Sequence, residues 1–297
     1  MLIAHLSDLH LRDADDVVWL DLQLDRIVAR GVDHLAITGD LLDRWNPGLL
    51  ERVLDTLDSR LLLSADRLTI LHGNHDLASS GGHPRRGSDL WRLALRLWDP
   101  PPLLRWRRRR FYDAIARRCG PASAGPCLVA HRAPFAKTLP SFVRIAVLDT
   151  VPFSWTPLSV RAGAVSLHHA IGRIAATEAD WLEDQSGGAG PLIVLMHHLP
   201  LDAPGFTWRL DAPWTTRLPE VRVPMHIPGD ERARFWRAAA RAAVRLVLCG
   251  HVHRARLDWH GGIAVGLNGQ SGAAWAGRPV AYYDVGSERI TMTLDKA

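Results

Sequence analysis

A chain of 297 residues, 47% hydrophobic and 23% charged, carries enough apolar material for one large core or two ordinary ones. This balance excludes a mostly disordered or fibrous chain, and the longest apolar runs, such as Leu192 to Met196, are too short to span a bilayer. The net charge of +5 is concentrated: between Arg85 and Arg118 eleven arginines stand against three aspartates, so the remainder is mildly acidic. Three cysteines (Cys119, Cys127, Cys249) fit neither a CxxC pattern nor a paired framework, and Asp8 and His10 follow Met1 without a basic or long apolar leader. A reducing, cytoplasmic setting is the expectation.

In chain order, the short aliphatic run Leu2 to Leu6 ends in Ser7-Asp8-Leu9-His10 and predicts a strand. A loosely periodic helix is expected over Asp21 to Ala29, then a strand over Leu35 to Thr38 closing on Gly39-Asp40. Leu50, Val53, Leu54 and Leu57 recur at helical spacing, so Leu49 to Leu57 reads as an amphipathic helix. Leu68 to Leu71 runs into His72-Gly73-Asn74-His75-Asp76 as a third strand. Later come a helix over Ala175 to Leu182, a strand over Leu192 to Met196 ending at His197-His198, and a helix over Asp230 to Val244. Leu246 to Leu248 then runs into Cys249-Gly250-His251-Val252-His253. Strand and helix alternate, as in a parallel sheet covered on both faces. After Val244, Gly-rich turns predict antiparallel hairpins completing a second sheet.

The whole chain, 1–297, reads as one domain with two insertions, at 77–120 and 198–229. The first holds a helix expected over Ser88 to Trp98, apolar on a wide face, with Arg92 and Arg96 as its polar strip and candidate phosphate contacts. It also holds the run Arg107 to Arg110 around Trp106. The second carries Phe206, Trp208, Trp214 and His226, read as packing aromatics, as His131, His168 and His169 are read as structural.

The five strand-end clusters carry the chemistry. Carboxylate, imidazole and amide oxygen are ligands for divalent metals, and strand ends are where an open α/β sheet presents its site. Asp8 and His10, like His251 and His253, lie two residues apart, which in an extended tip turns both side chains the same way. Glycines precede Asp40 and Asn74 and permit tight turns. An isolated Asp-x-His is ordinary surface polarity, a lone Gly-Asp is usually a turn, and His197 alone could be a core histidine. Five such clusters, in order and each closing a separate strand, are what set the reading.

With Asp8-Leu9-His10, Gly39-Asp40-Leu41-Leu42-Asp43, Gly73-Asn74-His75-Asp76, His197 and Gly250-His251-Val252-His253, the sequence resembles the calcineurin-like metallophosphoesterases, and within them the cyclic-nucleotide phosphodiesterases. The resemblance implies an α/β fold, a four-layer α/β/β/α sandwich with two mixed sheets and a helical insertion. It implies two divalent ions (Mn, Fe, Zn, Co or Ni, with Mn favoured), one held by Asp8, His10, Asp40 and His253, the other by Asp40, Asn74, His197 and His251. Asp40 bridges; Asp43 supports the ligands; His75, oriented by Asp76, protonates the leaving group. Such ions, roughly 3.5–4 Å apart, generate a hydroxide that attacks phosphorus.

The activity so implied is a dinuclear-metal-dependent phosphodiesterase acting on a small or medium organic phosphoester. Alternatives are a DNA nuclease, not favoured because no DNA-capping domain is evident, and a nucleotide-sugar-lipid pyrophosphatase of the lipid A type. The latter usually carries Arg where this chain has His75. A scaffold that has lost its ligands is disfavoured because no ligand is missing. Peripheral lipid contact through residues 88–112 is a further expectation, and neither the oligomeric state nor the substrate is fixed by the sequence.

Overall fold

The computed structural model describes residues 1–79, 99–118, 134–153, 158–161, 164–167, 171–202, 206–208, 221–223, 227–269, 280–286 and 289–295. The helix expected over Ser88 to Trp98, with Arg92 and Arg96, lies outside them, as do Cys119, Cys127, His131, His168, His169, Trp214 and His226.

Two mixed sheets form the middle of the molecule. In the first, β1 (Leu2–Leu6), β2 (His34–Thr38) and β3 (Leu68–Leu71) run parallel, and β14 (Val280–Val285) and β15 (Ile290–Asp295) are added antiparallel in the order β15-β14-β1-β2-β3. In the second the order is β12-β13-β11-β8-β5-β4, with β5 (Arg144–Val147), β8 (Leu192–Leu195), β11 (Val244–Cys249) and β13 (Ile263–Leu267) parallel. The edge strands β4 (Phe135–Thr138) and β12 (Arg256–His260) are antiparallel. Two short hairpins, β6 (Leu158–Arg161) with β7 (Ala164–Leu167) and β9 (Phe206–Trp208) with β10 (Val221–Val223), stand apart from the main sheets.

Alternation along each strand divides the apolar residues among three cores. Ile3, Ala36 and Leu71 of the first sheet meet Ile145, Ile193, Leu246 and Ala264 of the second, so the sheets pack face to face. On the outer face of the first, Ala4, Leu35, Ile37 and Ile70 pack against α1 (Ala14–Ala29), α2 (Pro47–Asp58) and α3 (Pro101–Arg118). On the outer face of the second, Leu192, Val194, Val247 and Val265 pack against α4 (Ala176–Glu183) and α5 (Gly229–Arg241). The result is the four-layer α/β/β/α sandwich. Strands buried on both faces read as continuous apolar runs, which is why the sequence shows them so plainly.

Helix boundaries follow their caps. Asn46 accepts the Leu49 amide at 3.1 Å and Pro47 opens α2, whose Leu50, Val53, Leu54 and Leu57 are fully buried, each contributing about 1.5–3 kcal/mol. Helix α1 starts at Ala14, seven residues before the expected Asp21, because Asp13 caps the amides of Asp15 and Asp16 and its acidic first turn suits the helix N-terminus. After Ala14, the residues missed are two acids, Asp15 and Asp16, followed by the unbroken apolar run Val17 to Leu20, which carries no helical period.

One element is added and one expectation is revised. The arginine-rich part of the first insertion is a regular helix, α3, whose Phe111, Tyr112, Ala114 and Ile115 enter the first core. Its arginines are largely taken up by the protein: Arg107 by Asp99, Arg108 by Asp149, Arg117 by Glu51, and Arg118 by Asp55 and Asp58. The C-terminal hairpins also divide: β12 and β13 complete the second sheet, while β14 and β15 join the first.

Either end of the 80–98 segment is fastened to the other. The Ser79 amide donates to Asp99 Oδ2 at 2.7 Å, its hydroxyl to Asp99 Oδ1, and Arg107 donates to Asp99 Oδ1 (2.8 Å), Ser79 Oγ (2.7 Å) and the Leu77 carbonyl (2.6 Å). Among the described residues, no helix is long and apolar enough to cross a membrane.

His34, buried on β2, bonds the Asp66 carbonyl and Thr69 Oγ1; burial, helped by nearby Lys137, pushes its imidazole down to about 3. The folded state thus keeps this ring neutral, whereas the unfolded chain takes up a proton below about 6.5. Its stabilisation is complete above that pH and lost as pH falls towards 3. A His34→Gln variant removes the proton uptake. The stability gap between wild type and variant, from urea midpoints, should narrow by about 1.4 kcal/mol per pH unit between pH 6 and pH 4; a pH-independent gap would refute the assignment.

Candidate metal centre

At the carboxyl ends of β1, β2, β3, β8 and β11 the two sheets meet, and the five loops that leave them carry the polar clusters. Bonds cross between the sheets here. The His251 amide donates to Asp8 Oδ1 (3.1 Å) and Oδ2 (2.9 Å), and the His197 ring donates from Nδ1 to the Thr38 carbonyl at 2.8 Å.

The loops are not extended. Asp8, His10, Asp40, His251 and His253 all have left-handed backbone conformations, with φ of +53°, +47°, +50°, +67° and +54°. Each costs about 1–3 kcal/mol for a non-glycine residue and persists only where its surroundings enforce it. The expected extended tip is therefore replaced by an alternation of left-handed residues, which turns both members of each pair inward. Gly39 (φ +97°) makes the tight turn before Asp40. Gly73 and Gly250 serve differently: a Cβ on Gly73 would strike the Asp40 carboxylate and the His197 ring, and one on Gly250 would strike Ser7 and Asp8.

The seven candidate ligands come together as two groups sharing Asp40. In one, His253 Nε2 lies 3.3 Å from Asp8 Oδ1, and His10 Nε2 lies 4.0 Å from Asp8 Oδ1 and 3.8 Å from Asp40 Oδ2. In the other, His197 Nε2 lies 3.4 Å from Asp40 Oδ2, 3.1 Å from Asn74 Oδ1 and 3.2 Å from His251 Nδ1. Across the first group, His10 Nε2 and His253 Nε2 are 3.3 Å apart.

These contacts have the chemistry that a divalent cation would need. Because His197 Nδ1 carries the proton given to Thr38, a neutral ring points its Nε2 lone pair at the oxygens of Asn74 and Asp40. Lone pairs that face each other in a buried space need positive charge between them. Without a metal, a proton serves: burial lowers the His197 imidazole, but the Asp40 carboxylate outweighs it and brings it up to about 9. Burial raises the Asp40 and Asp8 carboxyls, yet His197 and His253 respectively hold them below the ordinary range. Two carboxylates, four imidazoles and an amide oxygen, all converging, fit divalent ions of borderline softness.

His75 stands at the edge of this cluster, its ring edge-on to His10 at 4.5 Å. Its Nδ1 donates to the Asp43 carbonyl at 3.1 Å and lies 3.8 Å from Asp43 Oδ1, which is also 3.7 Å from His10 Nδ1. Asp43 thus supports both rings. Asp76, expected to orient His75, is instead held by backbone amides: Leu42 donates to Oδ1 (2.7 Å), and Gly73 (2.8 Å) and Leu41 (3.3 Å) donate to Oδ2. Burial first, then Asp40, pushes its carboxyl up to about 7. It ties the second loop to the third rather than touching His75. Behind the site, a set that sequence reasoning gave no role joins α3 to the second sheet. His72 Nδ1 meets Tyr112 Oη at 2.6 Å, His72 Nε2 lies 3.4 Å from Asp149, and Arg108 pairs with Asp149 at 2.9 Å.

The glycine contacts generate a test. Gly73→Ala should destabilise the fold by about 1–3 kcal/mol, from overpacking against Asp40, and weaken Mn²⁺ uptake. Gly48→Ala, with nothing nearer than 3.7 Å to its added carbon, should be neutral or slightly stabilising. Equal urea midpoints for the two variants would contradict the close approach.

The model of the calcineurin-like phosphoesterases matches residues 1–255. Among solved structures, a dimetal phosphatase from Danio rerio superposes with a TM-score of 0.60 at 11% identity, covering 100% of this chain and 96% of that one. The GAP50 anchor of the Plasmodium inner membrane complex superposes at 0.51, also 11% identical, covering 100% and 84%. At such identities the likeness is one of fold. No curated protein sequence matches significantly. Members of the matched family use dinuclear divalent metal centres, and the His and Asp groups described above are placed for one. The match takes in all five clusters, from Asp8 to His253, and by it the chain belongs to the calcineurin-like phosphoesterases and is a metal-dependent phosphoester hydrolase.

Proposed function

We propose that the chain is a phosphodiesterase that hydrolyses a small or medium organic phosphoester. Asp8, His10, Asp40 and His253 would hold one divalent ion, and Asp40, Asn74, His197 and His251 the other, with Asp40 shared. The observation that carries this reading is the opposition of the His197 Nε2 lone pair to the oxygens of Asp40 and Asn74 in a buried cluster. When bound, such ions supply Lewis acidity towards phosphoryl oxygens and acidify water. Mn²⁺ is the favoured occupant, with Fe, Zn, Co and Ni accepted by the same mixed nitrogen and oxygen donors.

The chain's own groups set the rest. Thr38 fixes the His197 tautomer, and the His251 amide holds the Asp8 carboxylate in place. His75 Nδ1 is committed to the Asp43 carbonyl, which aims Nε2 away from Asp43. As the imidazolium, with Nδ1–H kept on Asp43, the ring can give its Nε2 proton to the departing oxygen, and an alkoxide needs it far more than a phosphate leaving group does. This favours ester over anhydride cleavage. The pairing of four of the seven α3 arginines, Arg107, Arg108, Arg117 and Arg118, with carboxylates of the protein supports a small-molecule substrate over nucleic acid.

Chelation should abolish hydrolysis of bis-aryl phosphates, and Mn²⁺ should restore it. In a substrate panel, bis-aryl phosphate turnover should exceed that of aryl phosphate, single-stranded DNA and a nucleotide-sugar lipid; preferred cleavage of any of these would overturn the diesterase reading. His75→Ala should keep both metals by elemental analysis yet lose about 10²–10⁴ in kcat on esters. Unchanged turnover would refute its part.

A further inference from the structure

The residue after His197 is a second, fully buried histidine. His198 occupies a space that exists because residue 172 is glycine: a Cβ there would strike the His198 ring. Thr150, also buried, holds His198 at two points. The His198 amide donates to Thr150 Oγ1 at 3.1 Å, and Thr150 Oγ1 lies 2.9 Å from His198 Nδ1. This fixes the ring's rotation as well as its position. Packed against it is the ring of His251, with centroids 4.3 Å apart and planes at 52°. One nitrogen from each of His197, His198 and His251 falls within 4.8 Å of the others.

His251 needs such a neighbour. Its Nδ1, 3.2 Å from His197 Nε2, is the nitrogen turned into the cluster. To offer a lone pair there, the ring must be neutral with its proton on Nε2, and it must not rotate about the Cβ–Cγ bond, a broad torsion with little preference of its own. The Asp8 bonds hold the His251 amide, while the rings of His197 and His198 lie against the ring itself, at centroid distances of 5.0 and 4.3 Å. The nearer of the two, His198, constrains its rotation.

We propose that His198, clamped by Thr150, is a positioning residue for His251: it sets the ring plane that keeps Nδ1 turned towards His197. The inference rests on the metal-pair reading above and deepens it, since it makes the ion held by His197 and His251 the one that depends on His198. Of the other group, Asp8 meets this arrangement at the His251 amide rather than at its ring.

The test uses the full chain, stripped by chelation and titrated with Mn²⁺ by calorimetry, with bound metal counted by elemental analysis and Co²⁺ absorption as a site signature. Wild type should take up two ions. His198→Ala and Thr150→Val should each weaken one site by about 10–100-fold, leave the other unchanged and alter one component of the Co²⁺ spectrum. His198→Phe, which keeps a flat ring against His251, should recover part of the lost affinity. Two sites of wild-type affinity in both His198→Ala and Thr150→Val would overturn the inference alone, as would equal weakening of both sites. A wild-type protein that binds no ion pair would overturn the parent reading and this one with it. Should His198→Ala fail to fold, Thr150→Val gives the same readout.

Discussion

The arrangement depends on two buried carboxylates, Asp8 and Asp40, at the line where two sheets meet. Neither could stay ionised there alone, since removing a carboxylate from water costs several kcal/mol. The imidazoles and amides that offset this cost come mostly from elsewhere in the chain: His197 and His251 from the second sheet to the first, and the His75 amide from the loop after β3. The bonds that neutralise the charges are therefore also the ties between the sheets. Structure and chemistry share one set of contacts, and the left-handed backbones of Asp8, His10, Asp40, His251 and His253 show the strain that sharing imposes.

Behind those side chains stands a layer that holds them still. Thr38 fixes the tautomer of His197, Asp43 touches both His10 and His75, and Asp76 gathers three amides from two loops. Asp76 illustrates how such a group departs from its motif. Adjacent to His75 in sequence, it accepts instead from the backbone amides of Leu41, Leu42 and Gly73. Its raised carboxyl reflects burial and Asp40, and its three amide donors are what hold it in place.

The candidate clusters were legible because each is local: each closes a strand whose apolar run is uninterrupted. Periodicity likewise revealed α2, whose stripe of Leu50, Val53, Leu54 and Leu57 faces the first core. What stayed hidden depends on long-range partners. The inward turn of Asp8 and His10 needs backbone bonds to Gly39 and Asp40, some thirty residues away. Helix α3 escaped notice because arginine fills positions that apolar residues would mark, and only its salt partners, spread from Glu51 to Asp149, explain the choice. The division of the last two hairpins between the sheets is a matter of register, which no local pattern encodes.

Ser79 and Asp99, twenty positions apart, are bonded directly to each other and to Arg107. Arg107 also donates to the Leu77 carbonyl, two residues past His75, so α3 is tied to the loop that bears His75. A salt bridge remote from the cluster in sequence thus shares the work of fixing the loop on which His75 stands.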